Sequence, residues 1–362
     1  MIIPSDLKKL YAPIADEYTE AFRQTLLNGR FIGGEPLEDF EKIVAHFLGA
    51  KYAVGCASGT AALRLALSAC GIGKGDEVIT VANTYYATAR AITDAGAEPV
   101  FCDVTEEGLI DCSKAESLIT PKTKAILPVH LYGACADLDA LRGICKRHSL
   151  ALVEDCAHAF GSKYNGKMIG SGSLAACFSL YPTKNLGAFG DGGFIATDSQ
   201  VIADAAGRLR YFAVDSERNE FDPDAIHGRL DTVQAALCSV SLRHVDEWIE
   251  KKRRNADEYI KAFKGRVPYI TSLEQKGAAP YLFPVLTEDQ DDFIGFMQQK
   301  GVLCLSHYRP ELHKMKELTG RDYSLPVTEK LNKSVVSIPV SQTVTEEEIR
   351  YIIEQTLAYY GY

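Results

Sequence analysis

The 362-residue sequence lacks the features that are typical of nucleic-acid-binding proteins, membrane proteins and dinucleotide-binding enzymes. Its 48 acidic residues outnumber its 39 basic residues, so a broad basic surface for nucleic acid is not expected. No apolar run approaches the ~20 residues that are needed to cross a bilayer. No Gly-x-Gly-x-x-Gly follows the first predicted strand, as a dinucleotide-binding domain would require. The sequence therefore argues against a nucleic-acid-binding protein, a membrane protein and a dinucleotide-dependent oxidoreductase.

The cysteine pattern indicates free thiols rather than disulfides or a metal site. No Cys-x-x-Cys pair occurs, and the opening "MIIPSDLKKLYAP" does not resemble a secretory leader. We therefore expect reduced, buried thiols, a cytoplasmic protein and no metal ligands. The ten cysteines are residues 56, 70, 102, 112, 135, 145, 156, 177, 238 and 304.

Length and composition predict two domains. A chain of 362 residues, 46% of them hydrophobic, exceeds the size at which a single core stops growing. We place a large domain, including the N-terminal helices, at residues 1–240 and a smaller α+β domain at residues 241–362. The apolar spacing of "RLDTVQAALCSVSLRHVDEWIEKKRRNADEYIKAF" predicts one long helix between them, and "TEEEIRYII" carries a capping signature at Thr345.

Short β-rich runs alternate with helical patterns in the first half of the chain. The runs are "YAVGCA", "EVITVA", "EPVFCDV", "AILPVHL", "LALVEDC", "AACFSLY" and "GGFIATD", and helical patterns such as "GTAALRLALSACGI" lie between several of them. This alternation predicts an α/β fold with a mainly parallel sheet that helices cover on both faces. Ligands of such sheets bind beyond the carboxyl ends of the strands.

Lys184 stands out because it follows an apolar strand and precedes a glycine-rich turn, "KNLGAFGDGG". A lysine is costly to bury unless it is paired or chemically used. A partly desolvated lysine at a strand end is the type that forms a Schiff base with an aldehyde cofactor. The glycines would let the backbone approach closely and adopt turns that a side chain hinders. A surface lysine in a flexible turn is the alternative interpretation.

Asp155 ends the apolar strand "LALVEDC". A carboxylate there needs a cation, and the protonated ring nitrogen of pyridoxal phosphate is one. A loop carboxylate or helix cap is the alternative. Glu154 would point to the opposite side of the strand.

The run "VGCASGTAALRLAL" joins a strand, Ser58-Gly59-Thr60 and a helix without a gap. Free N–H groups and two hydroxyls at a helix start can hold a phosphate, although serine and threonine also cap ordinary helices. After the next strand, Tyr85 and Tyr86 offer a ring that could stack on a planar cofactor or pack in the core.

These motifs, in this order, resemble the DegT/DnrJ/EryC1/StrS family of pyridoxal-phosphate aminotransferases. The resemblance runs from "GRFIGGEPLEDFEKIVAHFLGAKYAVGCASGTAAL" to "EEIRYIIEQ", and its most specific part is "VEDCAHAFGSKYNGKMIGSGSLAACFSLYPTKNLGAFGDGGFIATD". It implies the aspartate-aminotransferase-like fold, fold type I of the pyridoxal-phosphate-dependent transferases. The implied reaction is a transamination in two half-reactions that share one site.

The resemblance also implies a role for each matching residue. Lys184 would hold the cofactor covalently and move protons, and Asp155 would pair with the pyridine nitrogen. The implied phosphate contacts are Ser58, Gly59, Thr60, Ala61 and Ser179, with Tyr85 over the ring. His158 stands where glutamine is most frequent and would donate a hydrogen bond near the phenolic oxygen of the cofactor.

Further residues would act between subunits or on substrate. Many relatives have Asn-Ser-Arg where this chain has His227-Gly228-Arg229, and that asparagine reaches the phosphate of the neighbouring subunit. His227 could replace it in a homodimer with shared active sites. Arg229 is a candidate for binding a carboxylate of the amino donor, and His307 and Tyr308 in "SHYRPEL" are candidate sugar contacts.

The resemblance implies glutamate as donor and a nucleotide-linked keto-deoxysugar as acceptor, in amino sugar biosynthesis. "YPTKNLGAFGDGG" resembles the branch of the family that aminates sugar nucleotides at C3, and this resemblance favours C3. A keto-cyclitol aminotransferase and a non-catalytic pyridoxal-phosphate-binding sensor are the alternatives. Dehydratases of the family replace the lysine with histidine, so Lys184 argues against that activity.

Overall fold

A computed structural model describes residues 1–212, 214–215, 220–309 and 311–362. The helices of this part of the chain are α1 (Leu7–Tyr11), α2 (Ala15–Asn28), α3 (Glu35–Leu48), α4 (Gly59–Ala69), α5 (Ala87–Asp94), α6 (Cys112–Ser117), α7 (Leu138–His148), α8 (Gln200–Leu209), α9 (Thr232–Phe263), α10 (Gln290–Gln299), α11 (Pro326–Ser334) and α12 (Glu346–Tyr359). Single 3₁₀ turns span Ala12–Ile14, Thr271–Glu274 and Leu312–Lys314.

The strands follow the predicted runs closely. They are β1 (Tyr52–Cys56), β2 (Glu77–Val81), β3 (Glu98–Cys102), β4 (Thr123–Ile126), β5 (Ala151–Asp155), β6 (Lys163–Tyr164), β7 (Lys167–Met168), β8 (Ala175–Ser179), β9 (Gly193–Thr197), β10 (Val214–Asp215), β11 (Glu220–Phe221), β12 (Phe283–Leu286), β13 (Leu305–Ser306) and β14 (Val335–Ile338). The β6–β7 and β10–β11 pairs are short two-stranded antiparallel sheets.

In the described chain, seven strands form one sheet in the order β1-β9-β8-β5-β4-β2-β3. The pairs β2–β3, β2–β4, β4–β5 and β5–β8 are parallel, as the alternating pattern predicts. Strand β9 is antiparallel to both of its neighbours, β8 and β1. The reason lies in the connection between β8 and β9, which contains no helix to carry the chain back across the sheet. That loop carries Lys184.

Apolar side chains cover both faces of the sheet, which explains why its strands read as nearly continuous apolar runs. One cluster lies under α4 and α8 and includes Leu65 and Ile195. The other includes Phe178 and Phe194, whose rings stack at 4.6 Å, and extends to α3 and α9. The sheet is therefore a rigid platform whose strand ends hold the polar residues.

The C-terminal part of the chain has its own antiparallel sheet, in the order β12-β14-β13, with α10 and α12. Helix α12 begins at Thr345 with the predicted capping box, in which Thr345 and Glu348 satisfy each other's backbone N–H groups. The long helix is also confirmed: α9 contacts α2, α3 and α12. The boundary at residue 240 falls inside this helix and stays a prediction. No helix in the described ranges has the length and apolarity that a membrane span needs.

Candidate active site

A cavity of about 470 Å³ opens at the carboxyl ends of the central strands. It collects residues from the start of α4, the start of α5, the ends of β5 and β8, and the loop after β8. Tyr308 enters it from the C-terminal part of the chain. Predicted site residues that line this cavity are Ser58, Gly59, Thr60, Tyr85, Asp155, His158, Ser179, Lys184 and Tyr308. Ala61, His227, Arg229 and His307 are not among its lining residues.

Lys184 lies in a tightly folded loop. Its backbone N–H bonds to the carbonyl of Tyr181, and a Cβ added to Gly187 would lie 2.4 Å from the carbonyl oxygen of Pro182. The neighbouring Asn185 anchors the loop by donating to the carbonyl of Phe160 at 3.1 Å. Close approach, rather than a left-handed turn, is thus the reason for glycine at 187, because its φ is not positive.

The Lys184 amine lies beside an aromatic ring and has no hydrogen-bond partner in the described chain, which is unusual for a cation. Its nitrogen lies 4.2 Å from the centroid of the Tyr281 ring and forms no hydrogen bond within the described residues. Burial lowers the pKa of Lys184 to about 7; the Asp155 carboxylate opposes this shift and the buried Lys252 ammonium adds to it. A large part of the population therefore carries a neutral, nucleophilic amine at neutral pH.

We predict that Lys184 reacts with an acylating reagent at a pH where ordinary lysines do not. Because only the neutral amine reacts, acetylation of Lys184 should rise through about pH 7 and level off above it, whereas ordinary lysines, with a pKa near 10.4, continue to gain reactivity. Mass spectrometry of cofactor-free protein after brief acetic anhydride pulses at pH 5 to 10 measures this. A midpoint near 10 at Lys184 would contradict the assigned environment.

Asp155 ends β5 inside the sheet. Its Oδ1 accepts the N–H of Ala157 at 3.0 Å, and its Oδ2 accepts the hydroxyl of Thr88 at 2.8 Å. Burial raises the pKa of Asp155, and these two donors and Lys184 act against that rise. A cationic ligand group would favour its ionised form.

Glu154 points to the other side of the strand, as the alternation of strand side chains requires. It accepts from Ser173 at 2.5 Å and pairs with His130 Nε2 at 3.1 Å, and neither it nor His130 lines the cavity. The Nδ1 of His130 accepts the N–H of Ala136 at 3.0 Å. Glu154, His130 and Cys156 lie close enough to hold a metal ion, but hydrogen bonds within the protein already account for the first two.

Thr88 lines the cavity and was not predicted from the sequence; it lies in the first turn of α5, the helix that follows β2. We predict that Thr88→Val lowers cofactor affinity about tenfold or more, since a hydrogen bond to a charged carboxylate contributes about 1.5–3 kcal/mol. Thr88→Ser keeps the hydroxyl and should restore the affinity. Equilibrium titration of cofactor-free protein with pyridoxal phosphate measures both, and equal losses in the two variants would refute the role of the hydroxyl.

The start of α4 forms an anion site. Ser58 caps the helix by accepting the N–H of Ala61 at 3.1 Å, while the N–H groups of Gly59 and Thr60 form no bond within the described chain. A Cβ on Gly59 would lie 2.8 Å from the Cβ of Ser179, so glycine lets the helix start meet the end of β8. Two free donors at a helix N-terminus, with hydroxyls alongside, suit a phosphate.

Aromatic side chains border the cavity. The Tyr85 ring is 55% exposed and lies 5.8 Å from the ring of Tyr308. His158 contacts both Tyr281, at 4.4 Å between centroids, and Tyr308. Tyr281 was not predicted as a site residue, because it is far along the chain in "APYLFPVL" and no local signal marks it.

His227 and Arg229 lie together outside this cavity. The Arg229 guanidinium contacts the imidazole of His227 and lies 5.3 Å from the Tyr211 ring, and His227 is exposed. His307 also turns away from the cavity, because its Nδ1 bonds to Ser337 at 2.9 Å.

The residues of the cavity fit pyridoxal phosphate. The amine of Lys184 is unbonded, the N–H groups of Gly59 and Thr60 are unused, and Asp155 is buried with no cation bonded to it within the described residues. These three features match the aldehyde, the phosphate and the ring nitrogen of the cofactor. The volume of about 470 Å³ is in the range of small-molecule sites.

Comparison with known proteins agrees with this geometry. The model of the DegT/DnrJ/EryC1/StrS aminotransferase family matches residues 13–356. The chain is 36% identical to a "pleiotropic regulatory protein" of Geobacillus stearothermophilus over 98% of this chain and 97% of that one. It is 37% identical to the dTDP-3-amino-3,4,6-trideoxy-α-D-glucose transaminase of Streptomyces venezuelae over 96% of this chain and 93% of that one.

A solved structure extends the comparison to the fold. The structure of S. venezuelae DesV in complex with a ketimine intermediate superposes with a TM-score of 0.94 at 35% identity, covering 100% of this chain and 98% of that one. The predicted fold, with its mainly parallel sheet, is thereby confirmed. The chain belongs to the DegT/DnrJ/EryC1/StrS aminotransferase family and is a transaminase that depends on pyridoxal phosphate.

Proposed function

We propose that the enzyme transfers an amino group from glutamate to the C3 ketone of a nucleotide-linked keto-deoxysugar, as a step of amino sugar biosynthesis. The observation that carries this proposal is the meeting of Lys184, Asp155 and the free N–H groups of α4 in one cavity. The transaminase from S. venezuelae supports the sugar assignment, since its name describes a product with an amino group at C3.

Each residue has a task in the transfer. The N–H groups of Gly59 and Thr60 would hold the phosphate, and the carboxylate of Asp155 would stabilise a proton at the ring nitrogen. Bound pyridoxal phosphate supplies a carbonyl group and a ring that withdraws electrons. Lys184, a large part of which is neutral near pH 7, would take the proton from Cα of the amino acid, and its ammonium form would deliver a proton to the cofactor carbon that keeps the nitrogen; the second half-reaction would run the same two transfers in reverse. Tyr85, which lines the cavity, would lie over the cofactor ring.

A second cavity supports a large acceptor. It has a volume of about 560 Å³ and shares Thr84, Tyr85 and Tyr308 with the first cavity, so the two cavities are adjacent. Apolar side chains such as Ile294 and Leu305 line it, along with Arg309. An amino acid needs only the first cavity, whereas a sugar with an attached nucleotide would extend into the second.

We also propose that the protein is a cytoplasmic homodimer. All ten cysteines are free, which suits a reducing compartment. Helix α2 and the segment after it expose several large apolar side chains, namely Phe22, Leu26, Leu27, Phe31 and Ile32. An exposed apolar patch of this kind fits a twofold interface, through which His227 and Arg229 would reach the site of the partner.

The test is a substrate screen on purified enzyme. The visible absorbance of the bound cofactor should bleach on addition of glutamate and return on addition of the correct keto-sugar nucleotide. Bleaching without recovery by any sugar nucleotide, but with recovery by a keto-cyclitol, would replace the proposed acceptor. No bleaching with any amino acid would favour a cofactor-binding sensor, in line with the name of the G. stearothermophilus relative.

A further inference from the structure

Lys252 is a buried lysine that lies outside the cavity. It belongs to α9, it is 4% exposed, and it is not among the residues that line the space around Lys184. Its amine donates to Oδ1 of Asn185 at 2.8 Å, and no carboxylate of the described chain forms an ion pair with it. Burying a lysine without a counter-ion is costly, which makes this residue a candidate for a role in the reaction.

Asn185, the residue after Lys184, accepts the amine of Lys252 in a fixed orientation. Its NH₂ group donates to the carbonyl of Phe160 at 3.1 Å and to the carbonyl of Ala279 at 3.3 Å, which uses both of its hydrogens. Oδ1 is then the atom that faces Lys252. Turning the amide over would place the NH₂ group against the amine and would leave two buried carbonyls without this donor. Lys252 therefore holds one side of the loop that carries Lys184.

Tyr281 holds the other side of this loop and lies near both lysines. Its hydroxyl bonds to the hydroxyl of Thr183 at 3.2 Å. Its ring centroid lies 4.2 Å from the nitrogen of Lys184 and 5.8 Å from the nitrogen of Lys252. The two nitrogens are therefore within about 10 Å of each other, a range at which charges in a protein interact appreciably. The residues directly before and after Lys184 are both tied to distant parts of the chain.

Two charges act on the Lys184 amine. Burial lowers the pKa of both nearby histidines, one of them to about 4, and raises the pKa of the nearby tyrosine, so these groups are neutral at pH 7: His158, His307 and Tyr281. The carboxylate of Asp155 favours a proton on Lys184, and the ammonium of Lys252 opposes one.

The two amines compete for a proton. Burial lowers the pKa of Lys252 to about 7, as it does for Lys184, so a proton on both amines at once is disfavoured. The carbonyl oxygen of Asn185 stabilises the ammonium form of Lys252, whereas the amine of Lys184 has no acceptor in the described chain. These contacts favour a charged Lys252 beside a neutral Lys184.

We propose that Lys252 is a positioning residue that fixes the Lys184 loop through Asn185 and whose positive charge disfavours a proton on the Lys184 amine. This inference rests on the role that the proposed function gives to Lys184. Lys252 needs no contact with substrate or cofactor for this role, because it acts through the neighbouring residue and through space. Once the cofactor engages the carboxylate of Asp155, the charge of Lys252 is no longer opposed.

Acetylation of Lys184 in cofactor-free protein tests the effect of the charge. Lys252→Met removes the charge and keeps an apolar side chain of similar length. The midpoint of Lys184 acetylation should rise from about pH 7 to about pH 8, because repulsion between charges about 10 Å apart corresponds to about one pKa unit. Lys252→Arg keeps the charge and should leave the midpoint near 7. Lys261→Met, at an exposed position of the same helix, is the control.

Bleaching of the holoenzyme by saturating glutamate tests the contact with Asn185. At pH 7 the rate in Lys252→Met should fall about fivefold or more, since a rise of one pKa unit leaves about a tenth of the amine neutral. At pH 9 Lys184 is largely neutral in every variant, so a rate that is still below that of the unaltered enzyme measures the lost contact. Lys252→Arg should recover most of the rate at both pH values.

These measurements separate this inference from the proposed function, because neither uses a keto sugar. A midpoint near 10 for Lys184 in the unaltered protein would refute the role of Lys184 itself. A midpoint near 7 that Lys252→Met leaves unchanged, or equal bleaching rates at pH 9, would overturn the role of Lys252 alone. If Lys252→Met does not fold, Lys252→Gln, which is uncharged but polar, provides the same test of the charge.

Discussion

Lys184→Ala should lower turnover by on the order of 10⁴-fold while the protein keeps its fold and still binds pyridoxal phosphate. The variant loses both the covalent attachment and the base that moves the Cα proton, and such general acid–base roles alone contribute up to about 10⁴-fold. The fold should tolerate the change, because the Lys184 amine forms no hydrogen bond within the described residues. The assay is amino transfer from glutamate at saturating cofactor, with circular dichroism as the measure of folding.

Lys167→Ala is the matched control for this prediction, since Lys167 is an exposed lysine on the β6–β7 hairpin near the same region of the chain. It should retain full activity. A Lys184→Ala enzyme with more than a few per cent of the original turnover would mean that another amine carries the reaction. Among the described residues, Lys252 is the one fully buried lysine, and it donates to Asn185 at 2.8 Å.

Asp155→Asn should reduce turnover by about 10²- to 10³-fold and weaken cofactor binding. The amide can still accept the N–H of Ala157 and can donate to the hydroxyl of Thr88, so local packing should survive. A neutral amide cannot stabilise a protonated ring nitrogen, and a bound ring without that proton withdraws electrons poorly. The rate of the glutamate half-reaction measures the loss of turnover. A titration of cofactor-free protein with pyridoxal phosphate measures the loss of cofactor binding.

Glu154→Gln is the matched control, because it changes the adjacent carboxylate on the opposite side of the same strand. Its partners Ser173 and His130 lie outside the cavity, and both are placed to donate to a carboxylate. The glutamine amide replaces one of the two carboxylate oxygens with an NH₂ group, so either Ser173 or His130 loses its acceptor. The free energy of unfolding should therefore fall by about 1–3 kcal/mol. Turnover per folded molecule should be nearly unchanged. A larger loss of turnover in Glu154→Gln than in Asp155→Asn would reverse the assignment of the two carboxylates.

Local patterns were sufficient for most elements of the fold. The apolar runs of β1, β2 and β5 are long enough to identify as strands, and the spacing in α9 and the cap at Thr345 identify the helices. The antiparallel direction of β9 was not predicted, although an absence in the sequence indicates it. No helical pattern lies between β8 and β9, and a strand that returns without a crossover must run antiparallel.

The candidate site could be predicted in part, because its central residues each follow a strand. Lys184, Asp155 and the Ser58-Gly59-Thr60 turn are visible in this way, and the structure brings them to one cavity. Thr88 and Tyr281 could not be predicted as site residues from the sequence. Threonine at a helix start is ordinary, and a tyrosine nearly a hundred residues from Lys184 becomes a neighbour only when the loop and the C-terminal part pack together.

The sequence by itself determined the α/β alternation and the family, and it led to the proposal of Lys184 and Asp155 as the reactive lysine and carboxylate, because these depend on residue types at short spacings. Only the tertiary structure decided which protons these groups hold. The lowered pKa of Lys184 comes from burial, and the contact that holds the next residue, Asn185, comes from Lys252 on α9. Burial and long-range hydrogen bonds arise from packing between distant segments, and no local stretch of the chain contains them.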